Sequence, residues 1–467
     1  MSGPVAFLGR IDSALASDAP AKVAANAQNF AAKRYVVAGD HPQFEELRDR
    51  ARAIRMETLA ELDTHLARFA DAAEAVETRV HWAADAAEAN EIIVGIAKAA
   101  GAETAVKGKS MVTEEIELNE ALEEAGLEVT ETDLGEFIAQ LAGEKPSHII
   151  APILHKSRQD VGHVFTDELG EEYTDDPDEL NAIAQRHLRQ RFLTADIGIS
   201  GVNMAVAENG SLALIENEGN GRFTTTAPPI HIAVMGMERI VPTMSDAAVV
   251  LDVLARSATA QPLTVYTNFI NGPRWPGDPD GPDELHVVIV DNGRSATLGS
   301  ATAEILGCIR CGACLNICPV YQSIGGHAYD SVYQGPVGSV VSPGLWGLDP
   351  WSELSHASTL CGACEEVCPI RIAIPDLLAE VRAQGVEAGL APGWLASGIS
   401  RYEKVTSEAK KWRRYEGLAA FGARFIAGSD GWMKRLPSVG KGWTDHRDLP
   451  APSKKPFRDR WEDRDGT

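Results

Sequence analysis

The chain has 467 residues, 44% of them hydrophobic and 24% charged, which describes a globular protein with room for about two to four domains. A formal net charge of −24 argues against nucleic-acid binding, which needs a basic surface to neutralise phosphates. No apolar run approaches the length of about eighteen residues that spans a bilayer, and the opening M-S-G-P-V-A-F-L-G-R lacks the basic stretch and apolar core of an export signal, so a cytoplasmic location is expected.

Residues 1–78 read as a helical segment. From Gln43 through Ile54, Leu59, Leu62, Leu66 and Phe69 the apolar positions recur at helical spacing, with no proline or glycine to interrupt them. Arg48, Arg50, Arg52 and Arg55 form a comb along this helix, and such a comb is most simply an exposed face. From Arg79 the pattern changes to short apolar runs alternating with amphipathic helices. Strands are expected at Arg79–Trp82, Glu103–Val106, Leu127–Thr130 and Ser147–Ile150, with helices at Ala86–Ala100, Thr113–Ala125 and Asp133–Leu141 between them. That alternation implies a parallel sheet covered on both faces. Further strands are expected at Gly201–Ala207, Ser211–Ile215, His231–Met235, Leu263–Phe269 and Leu285–Val290, with a helix at Ala247–Ala255. Residues 79–293 are therefore one α/β domain, and Ser295–Ile305 leads out of it as a helix.

Residues 294–391 hold every cysteine of the chain, seven in all. The run C-I-R-C-G-A-C-L-N-I-C-P places Cys308, Cys311, Cys314 and Cys318 ahead of Pro319. This is the bacterial ferredoxin spacing C-x2-C-x2-C-x3-C-P, whose fourth cysteine ligates the other of two clusters. A second run, S-T-L-C-G-A-C-E-E-V-C-P, supplies Cys361, Cys364 and Cys368 before Pro369, with Ser358 where a first cysteine would stand. Short turns with small residues between ligands wrap the backbone around a cluster corner and aim its N–H groups at the sulfurs, and soft thiolates suit iron–sulfur clusters and zinc. Disulfides do not suit a chain without an export signal, and zinc leaves the C-x3-C-P tails unexplained.

Exchange of the fourth cysteines assigns Cys308, Cys311, Cys314 and Cys368 to one cluster and Cys318, Cys361 and Cys364 to the other. Two clusters of the [4Fe-4S] kind are expected, the second one thiolate short. Either Ser358 supplies an oxygen there, or water, a substrate or a partner side chain binds that iron, or the centre is [3Fe-4S]. An isolated serine more often only bonds a backbone group. Between the runs, Gly325–Tyr329 and Tyr333–Gly338 read as ordered loop, and a helix starts at Ile374–Pro375. Residues 392–467 form a helical and extended extension containing five tryptophans. Positions 401–467 carry 16 Lys/Arg against 10 Asp/Glu, a basic tail on an acidic body.

Ligands of open α/β sheets bind beyond the carboxyl ends of the strands. Three stretches in such places carry chemistry: Lys107 to Glu115, where Lys107 and Lys109 precede a helix start and would suit an anion; His155, Lys156, Arg158 and His163; and Glu216 to Arg222. Glu103 stands where a phosphate-binding loop needs glycine, and no dinucleotide, zinc-hydrolase or serine-nucleophile fingerprint is present, so catalytic residues are not assigned.

The succession of α/β domain, C-I-R-C-G-A-C-L-N-I-C-P-V-Y, I-G-G-H-A-Y, G-P-V-G and L-C-G-A-C-E-E-V-C-P-I resembles the LutB-like iron–sulfur subunits of the bacterial L-lactate utilisation system. K-G-K-S-M-V-T-E-E, A-D-I-G-I-S, A-E-N-G-S and E-N-E-G-N are similar to the LUD domain of that system, and P-F-R-D-R-W to the family's tail. The resemblance implies a NagB/CoA-transferase-like α/β fold followed by an α-helical ferredoxin-like two-cluster domain. It also implies a role in oxidising L-lactate to pyruvate beside LutA-like and LutC-like subunits, as the electron-transfer subunit rather than the catalyst alone. Two other classes remain open at this point, a redox- or iron-sensing or assembly protein, and a self-contained carboxylate-binding oxidoreductase.

Overall fold

The computed structural model describes residues 7–391, 393–437, 440–444, 447–453, 455 and 457–465. Two compact units are present, Met1–Ala388 and Gly389–Thr467. The first opens with four helices, Phe7–Leu15, Ala19–Gly39, Phe44–Ala60 and Leu62–Glu74, in keeping with the helical spacing of that segment.

Ten strands follow: β1 (Arg79–Ala83), β2 (Thr104–Lys107), β3 (Glu128–Glu131), β4 (Ile197–Gly201), β5 (Met204–Val206), β6 (Ser211–Glu216), β7 (Ile230–Gly236), β8 (Ile240–Val241), β9 (Tyr266–Ile270) and β10 (Glu284–Val290). Six of them build the expected parallel sheet in the order β1-β10-β7-β4-β2-β3. Side chains of a strand alternate between faces, so a strand buried on both sides is apolar throughout. In β7, Ile232 and Val234 pack with helix Ala86–Ala100 through Ala89, Ile93 and Ala97, while Ala233 and Met235 join the core on the opposite face. That second core is continuous from the N-terminal helices to the cysteine-bearing segment. The remaining strands form a separate sheet, β8-β5-β6-β9, around the β5–β6 hairpin.

Several elements differ from the sequence expectation for local reasons. Ser147–Ile150 is not a strand, because His148 Nδ1 accepts the N–H groups of Ile150 (3.1 Å) and Ala151 (3.2 Å) and withdraws them from any ladder. Thr113–Ala125 is two helices, Met111–Glu115 and Leu118–Glu124, separated at Glu117 with φ of 53°. Gly201–Ala207 is divided between β4 and β5, and Ser295–Ile305 holds one helical turn, Arg294–Leu298, before a 3-10 turn at Ala303–Gly307. Helices Arg158–Leu169 and Pro177–Thr194 occupy a stretch to which the pattern assigns no element. The segment between the cysteine runs contains a helix, Gly335–Trp346, started by Pro336.

The arginine comb is not an exposed face. Only Arg50 of its four members is exposed; Arg48 and Arg55 are buried and Arg52 is half-buried. With Arg34 of the preceding helix they donate to main-chain carbonyls distant in sequence. Arg34 reaches Val367 (2.6 Å), Arg48 reaches Cys368 (2.8 Å) and Glu366 (2.7 Å), and Arg52 reaches Arg371 (2.6 Å). Arg55 is shared among the carbonyls of Ile240, Glu238, Leu306 and Gly307. A guanidinium has five donors and no acceptor, so it needs several acceptor oxygens around it when buried. Arg48 and Arg52 add the carboxylates of Glu45 and Glu304 to these carbonyls.

In the second unit, helices Gly393–Thr406 and Ala409–Ile426 pack on each other, and the strand pair β11 (Trp432–Met433) and β12 (Leu449–Pro450) is antiparallel. Replacing Arg55 by Met leaves four carbonyls short of a donor and is expected to destabilise the first unit by about 3 kcal/mol or more. The exposed Arg50→Met should stay within about 0.5 kcal/mol of the parent. Urea midpoints of the two variants check the contrast.

Candidate iron–sulfur site and the adjoining cavity

The two cysteine runs fold as copies of one device. In each, a residue with left-handed backbone precedes the Cys-Gly-Ala-Cys turn, Arg310 with φ of 59° and Leu360 with φ of 53°. A left-handed glycine follows the cysteine, Gly312 at 74° and Gly362 at 85°, and a short helix begins, Ala313–Ile317 or Ala363–Glu366. Glycine bears that conformation without strain. At Gly312 a side chain would also meet His148 Cε1 at 3.3 Å.

All seven thiols are free. Main-chain N–H groups point at sulfur as the turn chemistry implies, Arg310 N to Cys308 Sγ at 3.3 Å, Tyr321 N to Cys318 Sγ at 3.5 Å and Ile372 N to Cys368 Sγ at 3.4 Å. Burial pushes the thiols of Cys311 and Cys364 up to about 12 and that of Cys368 up to about 11. After burial, the neighbours that raise them are other cysteines. Cys308 and Cys368 act on Cys311, Cys308 acts on Cys368, and Cys318 and Cys361 act on Cys364. Cys361 is the exception. It is exposed, and the Ala363 N–H and Thr359 hydroxyl hold its thiol below the usual value.

Among the described residues no three histidine, cysteine or acidic side chains converge on one ion position. A cubane asks for less convergence, because its four cysteines share four irons. Buried neutral thiols are inert until a metal displaces their protons, so this donor set fits a soft-metal cluster rather than free nucleophiles. Ser358 Oγ accepts from Leu360 N at 3.1 Å.

Beside the first run lies a cavity of about 280 Å³. In the main sheet, β2 and β3 lead to one edge and β4, β7 and β10 to the other, and the segment after β2 (108–112) and the end of β4 with the residues after it (200–203) line the cavity. This is the crevice that the strand order itself creates. Of the candidate stretches, Lys109, Ser110, Glu216, Glu218 and Asn220 reach it. Lys107 and Lys109 do not offer free charge to an anion, because they are paired with Glu131 (2.7 Å) and Glu136 (2.6 Å). His155 and Lys156 instead bind Glu144, while Arg158 and His163 lie against Asp175 and Tyr173. Glu216 accepts the Gly221 and Arg222 N–H groups at 2.8 Å each and so starts the helix Asn220–Thr226.

Apart from Glu115, which ends the first candidate stretch, the wall next to the cysteines consists of residues to which the sequence reading assigns no role. Arg294 donates to Glu115 (2.8 and 2.7 Å) and to Glu238 (2.6 Å), all three buried. Burial pushes the Glu238 carboxyl up, but Arg294, Arg239 and Arg310 outweigh it and hold it at about 2. Arg310 stacks on the Tyr333 ring at 4.3 Å. The one available signal was a charged residue inside a C-x2-C turn. His148 ties the loop after helix Leu134–Leu141 to the first run, donating from Nε2 to Asn316 Oδ1 at 3.0 Å.

Residues 66–290 match the LUD domain family, and residues 304–372 match the 4Fe-4S dicluster domain. The chain is 45% identical to Lactate utilization protein B of Bacillus licheniformis, covering 94% of this chain and 92% of that protein. It is 43% identical to Lactate utilization protein B of Oceanobacillus iheyensis, over 99% and 97%. A crystal structure of a DUF162 family protein from Deinococcus radiodurans aligns over 50% of this chain and 98% of its own, with 16% identity. Its TM-score of 0.26 carries no common geometry.

Burial lowers both His148 and His231 to about 3, so both are neutral in the fold and protonate on unfolding near 6.5. Their contribution to stability is complete above pH 6.5 and is lost as the pH falls toward 3. Glu131 and Glu218, which burial raises to about 7, take up protons in the fold across the same range and act with the opposite sign. The histidine contribution is therefore read as a difference profile: the urea stability of the parent minus that of His231→Gln should fall between pH 6.5 and 5 by up to about 1.4 kcal/mol per pH unit. A flat difference profile across that window contradicts the assignment.

Proposed function

Because the chain belongs to the lactate utilization protein B family, we propose that it is the electron-transfer subunit of a cytoplasmic lactate-oxidising assembly, with LutA-like and LutC-like partners. Two iron–sulfur clusters bound by the cysteine runs would supply one-electron transfer. Cys308, Cys311 and Cys314 with Cys368 hold one, and Cys318, Cys361 and Cys364 hold the other. The observation that carries this reading is the grouping of the thiols, in which Cys368 neighbours Cys308 and Cys311 while Cys318 neighbours Cys361 and Cys364. Exchange of the fourth ligands keeps the clusters close together.

The polypeptide's own part is to hold and tune. The carbonyls of Val367 and Cys368 are fixed by Arg34 and Arg48, so the second run cannot drift from the first. Arg55, Arg239 and Arg310 lie within Coulomb range of the Cys308 sulfur, and positive charge there favours the reduced cluster. The second site has three thiolates, and Ser358 is engaged with its own loop. An iron held there by fewer thiolates would leave a position for a ligand from outside these cysteines, and Cys361 itself is exposed.

Iron and acid-labile sulfide in anaerobically prepared protein should approach the content of two cubanes. Cys368→Ala should damage the cluster of Cys308, Cys311 and Cys314; loss of only the other cluster's signal rules out the exchange. Mild oxidation should convert the three-thiolate centre to a three-iron form first, with Ser358→Cys slowing the loss and Ser358→Ala leaving it unchanged. Equal loss from both centres contradicts the asymmetric ligation. The isolated chain should not reduce a dye with lactate, and dye reduction that depends on lactate would identify it as a self-contained enzyme.

A further inference from the structure

Arg310 is the least satisfied buried charge beside the cavity. Its side chain is 6% exposed, and among the described residues its Nε and Nη1 have no hydrogen-bond partner. Nη2 approaches Glu238 Oε1 only to 3.8 Å, so either fork of the guanidinium keeps one free nitrogen beside a loosely held one. An unpaired buried charge of this kind is costly unless something pairs with it. The surrounding wall does so only in part, through the Tyr333 ring at 4.3 Å and the distant Glu238. Arg55, Arg239, Arg294 and Arg310 face two buried carboxylates, Glu115 and Glu238, and Arg294 already takes both at 2.6–2.8 Å. The group is thus positive by two charges on the side that Ile309, Arg310 and Tyr333 present to the cavity.

The cavity lining also carries Asp133, Glu216 and Glu218. A polyanion would meet repulsion there, while a monoanion with its charge at the arginine end would not. A volume of about 280 Å³ lies at the lower end of the range for small-molecule sites and suits a metabolite rather than a dinucleotide. Planar carboxylates match a guanidinium fork. The place is also specific, for Arg310 is the residue between Ile309 and Cys311, and its own N–H bonds Cys308 Sγ.

We propose that this cavity binds a small organic monocarboxylate with its carboxyl group on Arg310, against the peptide that joins Cys308 to Cys311. The inference deepens the reading of the chain as a lactate-utilisation subunit and rests on it for the choice of probes. The competing role for these arginines is to balance the negative charge of a cluster alone. Under the present proposal, occupancy neutralises Arg310, so the ligand binds the oxidised cluster more tightly than the reduced one. By linkage the midpoint potential of the cluster next to Cys308 then falls, by 59 mV for each tenfold difference in affinity.

Full-length chain, both as purified and after anaerobic cluster reconstitution, is titrated with pyruvate, L-lactate and inorganic phosphate by calorimetry. The midpoint potential of the clusters is followed by paramagnetic resonance on the same samples. One molecule of pyruvate or L-lactate per chain is expected, with phosphate weaker than either and the potential moving negative. Arg310→Gln should weaken binding at least tenfold, and Arg310→Lys less. Ala258→Phe, which narrows the cavity from the half-buried end of helix Met244–Ala258 away from the cysteines, should weaken binding with iron and sulfide unchanged. Should Arg310→Gln lose a cluster, Ala258→Phe decides the matter. Absence of saturable binding, tighter binding of phosphate, or undiminished affinity in Ala258→Phe overturns the site. Iron and sulfide content separates the two readings, because a fully loaded chain that binds no carboxylate refutes only this site. A chain that takes up no cluster refutes the electron-transfer role, and its carboxylate affinity still decides the cavity.

Discussion

Four arginines from the N-terminal helices hold the first unit in its shape. Arg34, Arg48 and Arg55 carry their guanidinium groups into the interior and Arg52 does so in part, and all four donate to main-chain carbonyls there. Those carbonyls belong to the second cysteine run, to the start of the first, and to the Glu238–Ile240 turn. One helix therefore fastens two pieces of chain separated by more than a hundred residues. Burying a guanidinium is unfavourable unless acceptors surround it, so these bonds favour one relative placement of the segments.

That placement explains why the cavity is where it is. The strand order opens a crevice between β2 and β4, and in an isolated α/β domain it would face water. Here the first cysteine run closes it, with Arg310 and Tyr333 forming the far wall. His148 reinforces the junction. Its Nδ1 is occupied by two backbone donors, which forces the proton onto Nε2 and directs it to Asn316 between the first-run cysteines. Charge in this wall is arranged in excess of arginine, and the excess is shared between the Cys308 sulfur and the cavity.

Some expectations failed through a single contact. The lysines after β2 looked like an anion cradle, yet Glu131 and Glu136 lie on a neighbouring strand and helix and consume them. The arginine comb looked solvated because its partners are main-chain carbonyls, which leave no trace in side-chain identity. His148 ended a strand that its apolar neighbours Ile149 and Ile150 would otherwise support. In each case the deciding group is distant in sequence or belongs to the backbone.

What the sequence determined by itself was whatever is encoded over short range. Cysteine spacing in 308–318 and 361–368, the glycines that allow those turns, and the alternation of strands with helices are local properties, and they specify an iron–sulfur module and a parallel α/β sheet. Tertiary structure decided which charges are paired and which are left over. Arg310 and Lys109 are both cations in promising loops, but only packing brings Glu136 to one and leaves two nitrogens of the other without a partner. Coulomb pairing depends on distances across the fold, and no spacing along the chain records them.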